Sequence, residues 1–162
     1  MPSADKHILQ AQSNINHLAE FFPGNRFNDW VITVSFYSCV HIVEAAVYLK
    51  QNLKFKGLDV RIQDTNDIKA LIDKLKMSDG IRNAIKESTH HEIRDIIVSD
   101  NFDPISEGYS VLWKQSRDAR YYCWVFENYV AHFAVKNILF KTAAWFNKEF
   151  KRDLAIPSVL KP

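Results

Sequence analysis

"DWVITVSFYSCVHIVEAAVYLK", residues 29–50, decides the fold: it is apolar almost throughout, and between Asp29 and Lys50 its one charged residue is Glu44, with His41 three positions earlier. The run from Trp30 to Leu49 is long enough to span a bilayer, yet Ser35, Ser38, His41 and Glu44 interrupt it. A charge held at mid-membrane is costly, so the segment is expected to be a buried helix with no membrane around it. Within it Thr33, Tyr37, His41, Glu44 and Tyr48 recur at steps of four, four, three and four residues, which puts them on one helical stripe. An unpaired carboxylate in a core costs several kcal/mol or takes up a proton, so the stripe must find partners or face a cleft. Two readings stay open: a satisfied polar seam that sets helix register, or a functional cleft.

The surrounding chain is poor in punctuation, with 4 glycines and 5 prolines in 162 residues, which predicts helices on short connections and an all-α fold. A first helix is predicted from about Ala4 to Phe22, with Ile8, Ile15, Leu18, Ala19 and Phe22 on one face and "PGN" at 23–25 as its stop. The second is expected to start at Asp29 as N-cap and to continue to about Gln51. A looser polar region follows. Thr65, Asn66 and Asp67 offer caps to a short helix "IKALIDKLK", "SDG" at 78–80 breaks it, and "IRNAIKESTHHEIRDIIV" suggests one or two further short helices. "SDNFDP" is predicted as a loop, Pro104 as the first residue of a helix to about Gln115, "SRDARYYCW" as an irregular break, and a last helix from about Glu127 to Arg152. Residues 1–162 are thus expected to form a single domain, an antiparallel up-and-down bundle of four or five helices with short additions.

Two cysteines, Cys39 and Cys123, make no disulfide framework, and both are expected to be buried thiols. The first ten residues lack the basic and apolar regions of a signal peptide, which predicts a cytoplasmic protein. A formal net charge of +2 neither demands nor excludes nucleic acid. The motifs GxxxxGK[ST], GxGxxG, GxSxG and CxxC are all missing, which argues against a P-loop NTPase, a nucleotide-cofactor oxidoreductase, an α/β hydrolase and a zinc ribbon. No cofactor is expected.

Two stretches supply candidate chemistry. In "STHHEIRD", His91 and Arg94 stand three apart on a predicted helix and are placed to meet Glu44 and His41, with Arg94 and Glu44 as a charge-assisted pair whose geometry can be bidentate. The segment has the start of a zinc-protease HExxH helix, but Asp95 stands where the second histidine belongs, so no metal site is assigned. His90 is expected to be solvated, and His7, His17 and His132 have no spacing that recommends them. In "SRDARYY", Arg117, Arg120, Tyr121 and Tyr122 interleave cations with rings that can hold phosphate and stack on bases. The plain alternative is a salt-bridged loop, with Arg120 turned to Glu44.

Taken in order, "DWVITVSFYSCVHIVEAAVYL", "HHEIRDIIV" and "YSVLWKQSRDARYY" resemble a run found in many small prokaryotic members of the HEPN superfamily. An aspartate–tryptophan start and an aromatic–His–x–x–Glu core match Asp29, Trp30, Tyr37, His41 and Glu44; a His–x–x–Arg element matches His91 and Arg94. The third element matches Tyr109, Leu112, Ser116, Arg117, Ala119, Arg120 and Tyr121. The resemblance implies a helical bundle, often a homodimer, and in many members a metal-independent ribonuclease of toxin–antitoxin, abortive-infection or CRISPR systems that cuts RNA with Arg–x(4–6)–His. Here Glu87 follows "RN" at 82–83 where that histidine is usual, and His90 comes after seven intervening residues. The usual motif is therefore absent or rearranged. Two functions remain open. One is a non-catalytic module that binds RNA, a nucleotide or a protein through a polar His/Glu/Arg cleft, with Tyr37, Arg117, Arg120 and Tyr121 as its ligand-binding residues. The other is an endoribonuclease using His41, Glu44, His91 and Arg94, for which a nucleotidyltransferase-type antitoxin would be a fitting partner.

Overall fold

In the computed structural model, which describes residues 3–24, 27–122 and 125–162, the chain is mostly helical with one small two-stranded sheet. Helix α1 (Ala4–Phe21) is capped by the Ser3 side chain, which accepts from the Lys6 amide, and finishes in a 3-10 turn, Phe22–Gly24. Asn25 of the predicted stop, and Cys123 of the predicted buried thiols, lie outside the described residues. The α1 core face is Ala4, His7, Ala11, Ile15 and Leu18, so His7 takes a place that an apolar side chain would normally fill.

Helix α2 (Asn28–Lys50) is the centre of the molecule. Its buried residues fall on all sides, among them Ile32, Phe36, Cys39, Val43, Glu44 and Val47. It is long and apolar enough to cross a membrane, and 78% of its most apolar window is buried inside the protein, as a core helix requires. Asp29 is not its N-cap. Phe27 holds that position in the left-handed region (φ 63°), and Asp29 sits in the first turn, where its charge still favours the helix dipole. Asn28 uses its side chain elsewhere, donating to the Phe126 carbonyl at 2.7 Å and to Asn128 Oδ1 at 2.9 Å. These bonds join the start of α2 to residues 126–128.

The looser region after α2 contains a β-hairpin that the helical expectation passed over. Strands β1 (Asn52–Phe55) and β2 (Leu58–Arg61) pair antiparallel, Leu53 opposite Val60 and Phe55 opposite Leu58. Lys56 and Gly57 form its turn with φ of 49° and 80°, the double left-handed geometry of a tight primed turn. Leu53, Phe55 and Val60 point one way into the core, and Ile62 follows them there. The period-two pattern was present in the sequence and was masked by the charged residues between.

Short α3 (Asp67–Leu71) continues as a 3-10 turn, Ile72–Lys74. The start of α3 is not capped as predicted: Asn66 makes no capping bond, and Asp67 instead accepts from the amides of Gln63 (2.9 Å) and Asp64 (3.1 Å). Ser78, predicted as part of a break, caps α4 (Asp79–Glu87). Helix α5 (His90–Asn101) starts with a capping box in which Thr89 and Glu92 exchange bonds.

The loop predicted at 99–104 is absent. Helix α5 continues to Asn101, and buried Phe102 alone separates it from α6 (Asp103–Tyr121). Phe102 packs on Trp145 with ring centroids 5.1 Å apart, so burial of one ring holds the corner that a loop would otherwise make. Asn101 clamps the hairpin from there, bonding both the amide and the carbonyl of Lys54 at 2.7 Å. Helix α6 also absorbs "SRDARYY" as far as Tyr121; nothing in it breaks an i to i+4 ladder, and Arg120 Nε donates to the Ser116 carbonyl at 3.0 Å. The last long element is α7 (Asn128–Phe133), a π-type turn over Ala134–Leu139, and α8 (Phe140–Phe150) in direct succession. The widened turn presents Ile138 to Gly108, where an added Cβ would lie 3.2 Å from Ile138 Cγ2. Glycine is what lets α6 approach this closely.

Candidate functional site

Two segments converge on Glu44 of α2. From α5, Arg94 Nε donates to Glu44 Oε1 at 2.6 Å. From the loop before α3, the Thr65 hydroxyl donates to the same oxygen at 2.5 Å and the Thr65 amide donates to Oε2 at 3.1 Å. Both carboxylate oxygens are thus engaged, by a single-point guanidinium contact rather than a two-point fork. The Arg94 and Glu44 side chains are 7% and 4% exposed, so the pair is sealed from solvent. A buried pair of this kind is stable only when its remaining polar atoms are bonded, and Thr65, which the sequence offered only as a helix cap, supplies those bonds.

His91, one turn before Arg94 on α5, is half-buried beside the rings of Phe36 and Tyr37, at 5.3 and 6.3 Å between centroids. Arg94 Nη1 donates to His91 Nδ1 at 3.0 Å, so Nδ1 carries a lone pair and the proton of the neutral ring sits on Nε2. Burial, then the neighbouring charges of Arg94 and Arg120, push its pKa down to about 4. At neutral pH the ring is a hydrogen-bond donor whose basic nitrogen is already occupied.

His41 does not join the Glu44–Arg94 pair. Its Nδ1 faces His7 Nδ1 across 3.1 Å, with ring centroids 5.4 Å apart, which is the head-on arrangement of an N–H···N bond between α1 and α2. One of the two rings must hold its proton on Nδ1 for that bond to form. Both pKa values lie below the ordinary histidine value, His7 because of burial and His41 because of burial and then the His7 ring. His7 was the residue that spacing missed. Its signal was an ionisable side chain at a core position of an amphipathic helix.

Arg120 forms the second gathering. Its Nη1 donates to the Tyr37 hydroxyl at 2.5 Å, and its guanidinium carbon lies 5.2 Å from the Tyr37 ring and 5.1 Å from the Tyr121 ring. It therefore meets Tyr37 and not Glu44. Tyr121 is 70% exposed, whereas Tyr37 and Arg120 are half-buried, so the cation and both rings make a partly open edge next to His91. Arg117 is exposed and paired with Asp118 at 3.6 Å, away from that contact. A shallow groove of about 320 Å³ between α1 and α2 leads away from Tyr37 past His41, Thr33, Gln10 and Asn14 to Trp30.

His41, Glu44, His91, Arg94 and Arg120 thus divide among a sealed ion pair, a histidine bridge and a half-open Tyr37–His91–Arg120 edge. Tyr48, the last member of the stripe, is half-buried. Cys39 is fully buried, its thiol pushed up to about 12 by burial, so it is no nucleophile at neutral pH. Among the described residues no group of three or more histidine, cysteine, aspartate or glutamate side chains gathers that could hold a metal ion. No family model, curated protein or solved structure matches the chain.

Proposed function

We propose that this chain is a HEPN-like module whose long helices form an antiparallel up-and-down bundle, and that it binds RNA or a nucleotide at the Tyr37–His91–Arg120–Tyr121 edge without cutting it. The bundle reading is supported by the packing of α2 against α1, α6 and the α7–α8 element, and by the bonds that bring the starts of α2 and α7 to one end. The observation that carries the binding reading is Arg120, whose guanidinium lies within stacking reach of two tyrosines and, with Nε given to Ser116 and Nη1 to Tyr37, keeps Nη2 to donate to a phosphate. His91 adds a neutral donor beside it.

The non-catalytic reading is supported by the same ring. Ribonucleotide cleavage without metal needs a base to take the 2′-hydroxyl proton, and a good base has a pKa near the working pH. His91 titrates at about 4 and its Nδ1 already accepts from Arg94. Glu44 and Arg94 are sealed, so their role here is to position His91 through that bond.

The test is fluorescence anisotropy with a labelled single-stranded oligoribonucleotide, followed by a gel of the recovered RNA. Arg120→Ala should weaken binding by about tenfold or more, in line with the loss of a phosphate contact and its stacking, and the RNA should remain intact. Undiminished binding by Arg120→Ala overturns the site. Metal-independent cleavage that disappears in His91→Ala overturns the non-catalytic reading in favour of an endoribonuclease.

A further inference from the structure

Between the last turns of α1 and the first turns of α2 lies an apolar cavity of about 450 Å³ lined by His17, Phe21, Phe27, Trp30 and Val34. Four of those five side chains carry rings. His17 and Phe21 meet edge to face, with centroids 5.4 Å apart and planes at 67°, so they make two adjoining walls and not one stack. Phe27 and Trp30 add the rings of α2 and stay 67% and 63% exposed. Phe27 also holds the left-handed conformation (φ 63°, ψ 48°), which a bulky side chain rarely adopts. Its side chain makes no capping bond and its ring is outside the core, so neither capping nor burial offsets that strain. Strain left without structural compensation collects at ligand sites.

The chemistry of the lining narrows the ligand. Its side chains offer hydrogen bonds only through the His17 ring and the Trp30 indole N–H, so a sugar, a carboxylate or a primary amine would leave polar atoms unpaired there. A cation capped by carbon needs no hydrogen bond, and aromatic rings attract it electrostatically. Carboxylates accompany both walls: Glu20 lies 3.6 Å from His17 Nδ1, and Asp29 stands in the first turn of α2 between Phe27 and Trp30 in sequence. The geometry points to this cavity as a binding site for a small quaternary ammonium compound, a trimethylated cation on a short chain. The volume is that of a small-molecule site. His17, Trp30 and Val34 also line the groove between α1 and α2, where Asn14 and Thr33 offer polar partners to the ligand's tail. The cavity shares no residue with the Tyr37–His91–Arg120–Tyr121 edge, so this site stands apart from the binding reading above.

The test is an NMR titration of the full chain, at constant ionic strength, with choline and with its uncharged isostere in which a tert-butyl group replaces the trimethylammonium. Choline should bind roughly threefold to thirtyfold more tightly than the isostere, the range that a cation beside aromatic rings covers. It should shift the Trp30 indole N–H signal, identified by its loss in Trp30→Leu. Trp30→Leu keeps apolar bulk and should lose the preference for the cation. Phe27→Gly should bind choline at least about fivefold more weakly and yet melt about 2–4 °C higher, because glycine relieves the left-handed strain. Circular dichroism identical to the parent shows that both variants fold. Equal affinity for the two compounds, no binding of choline, an unchanged preference in Trp30→Leu, or a Phe27→Gly chain that binds as well as the parent or melts lower overturns the inference. A peptide carrying trimethyl-lysine should bind no more tightly than choline, since the cavity reads only the headgroup. Peptide binding more than about tenfold tighter overturns the assignment to a free small molecule.

Discussion

At the scale of the residue, the main fact is that Glu44 is neither free nor at the surface. Its two oxygens take three bonds from Arg94 and Thr65, and those bonds tie the middle of α2 to α5 and to the loop before α3. Removing one partner leaves a charge with no water to solvate it. Arg94→Met should therefore cost about 3–5 kcal/mol in urea unfolding, and Arg94→Met with Glu44→Leu should recover much of that loss. A double variant no more stable than the single one would show that the cost lies in lost packing of the guanidinium stem. His91 loses its anchor in either variant, so under the proposed binding role oligoribonucleotide affinity should fall with Arg94→Met even though Arg94 is sealed from solvent.

At the scale of the element, α5 matters beyond its twelve residues because it delivers both His91 and Arg94. Its first turn is held by the reciprocal Thr89–Glu92 bonds, in which the Thr89 amide donates to Glu92 at 2.6 Å and the Glu92 amide donates to the Thr89 hydroxyl at 3.2 Å. Thr89→Ala should cost about 1 kcal/mol and lower the melting temperature by about 2–4 °C for a chain of this size. Thermal circular dichroism checks it, and an unchanged midpoint would mean that burial of Ile93 and Ile97 alone holds the turn. Where the element predictions failed, the cause was local chemistry serving a distant contact. Helix α2 starts one residue before Asp29, its predicted N-cap, where Asn28 bonds Phe126; Phe102 makes a corner by burying its ring, and Lys56–Gly57 turns a hairpin that Asn101 then clamps from α5.

At the scale of the whole molecule, three histidines are held neutral by burial, and this couples folding to pH. His91 titrates at about 4 when folded, against about 6.5 when unfolded. Between those values the unfolded chain binds the extra proton, so stability is full above about pH 6.5 and is lost as the pH falls towards 4. His7 and His41, both lowered by burial, act in the same direction. Urea midpoints across that window should fall with acidification, and His91→Gln should flatten the dependence. A variant with the parent's full slope would place the effect on the His7–His41 pair.

Much of this protein was legible before folding. Its low glycine and proline content and the three- and four-residue spacing of its apolar positions determined a mostly helical chain, and the isolation of His41 and Glu44 in an apolar run marked the polar stripe. Those are local properties, set by the helical period and by the cost of burying charge. The tertiary structure alone decided which partner each polar group took. Arg94 and Thr65 reach Glu44 from 50 and 21 residues away in sequence, His7 reaches His41 from 34, and Arg120 reaches Tyr37 from 83. Side-chain spacing fixes direction within one helix, whereas contacts between helices depend on how whole faces pack, and that packing put Glu44 in the sealed core and Arg120 at the open edge.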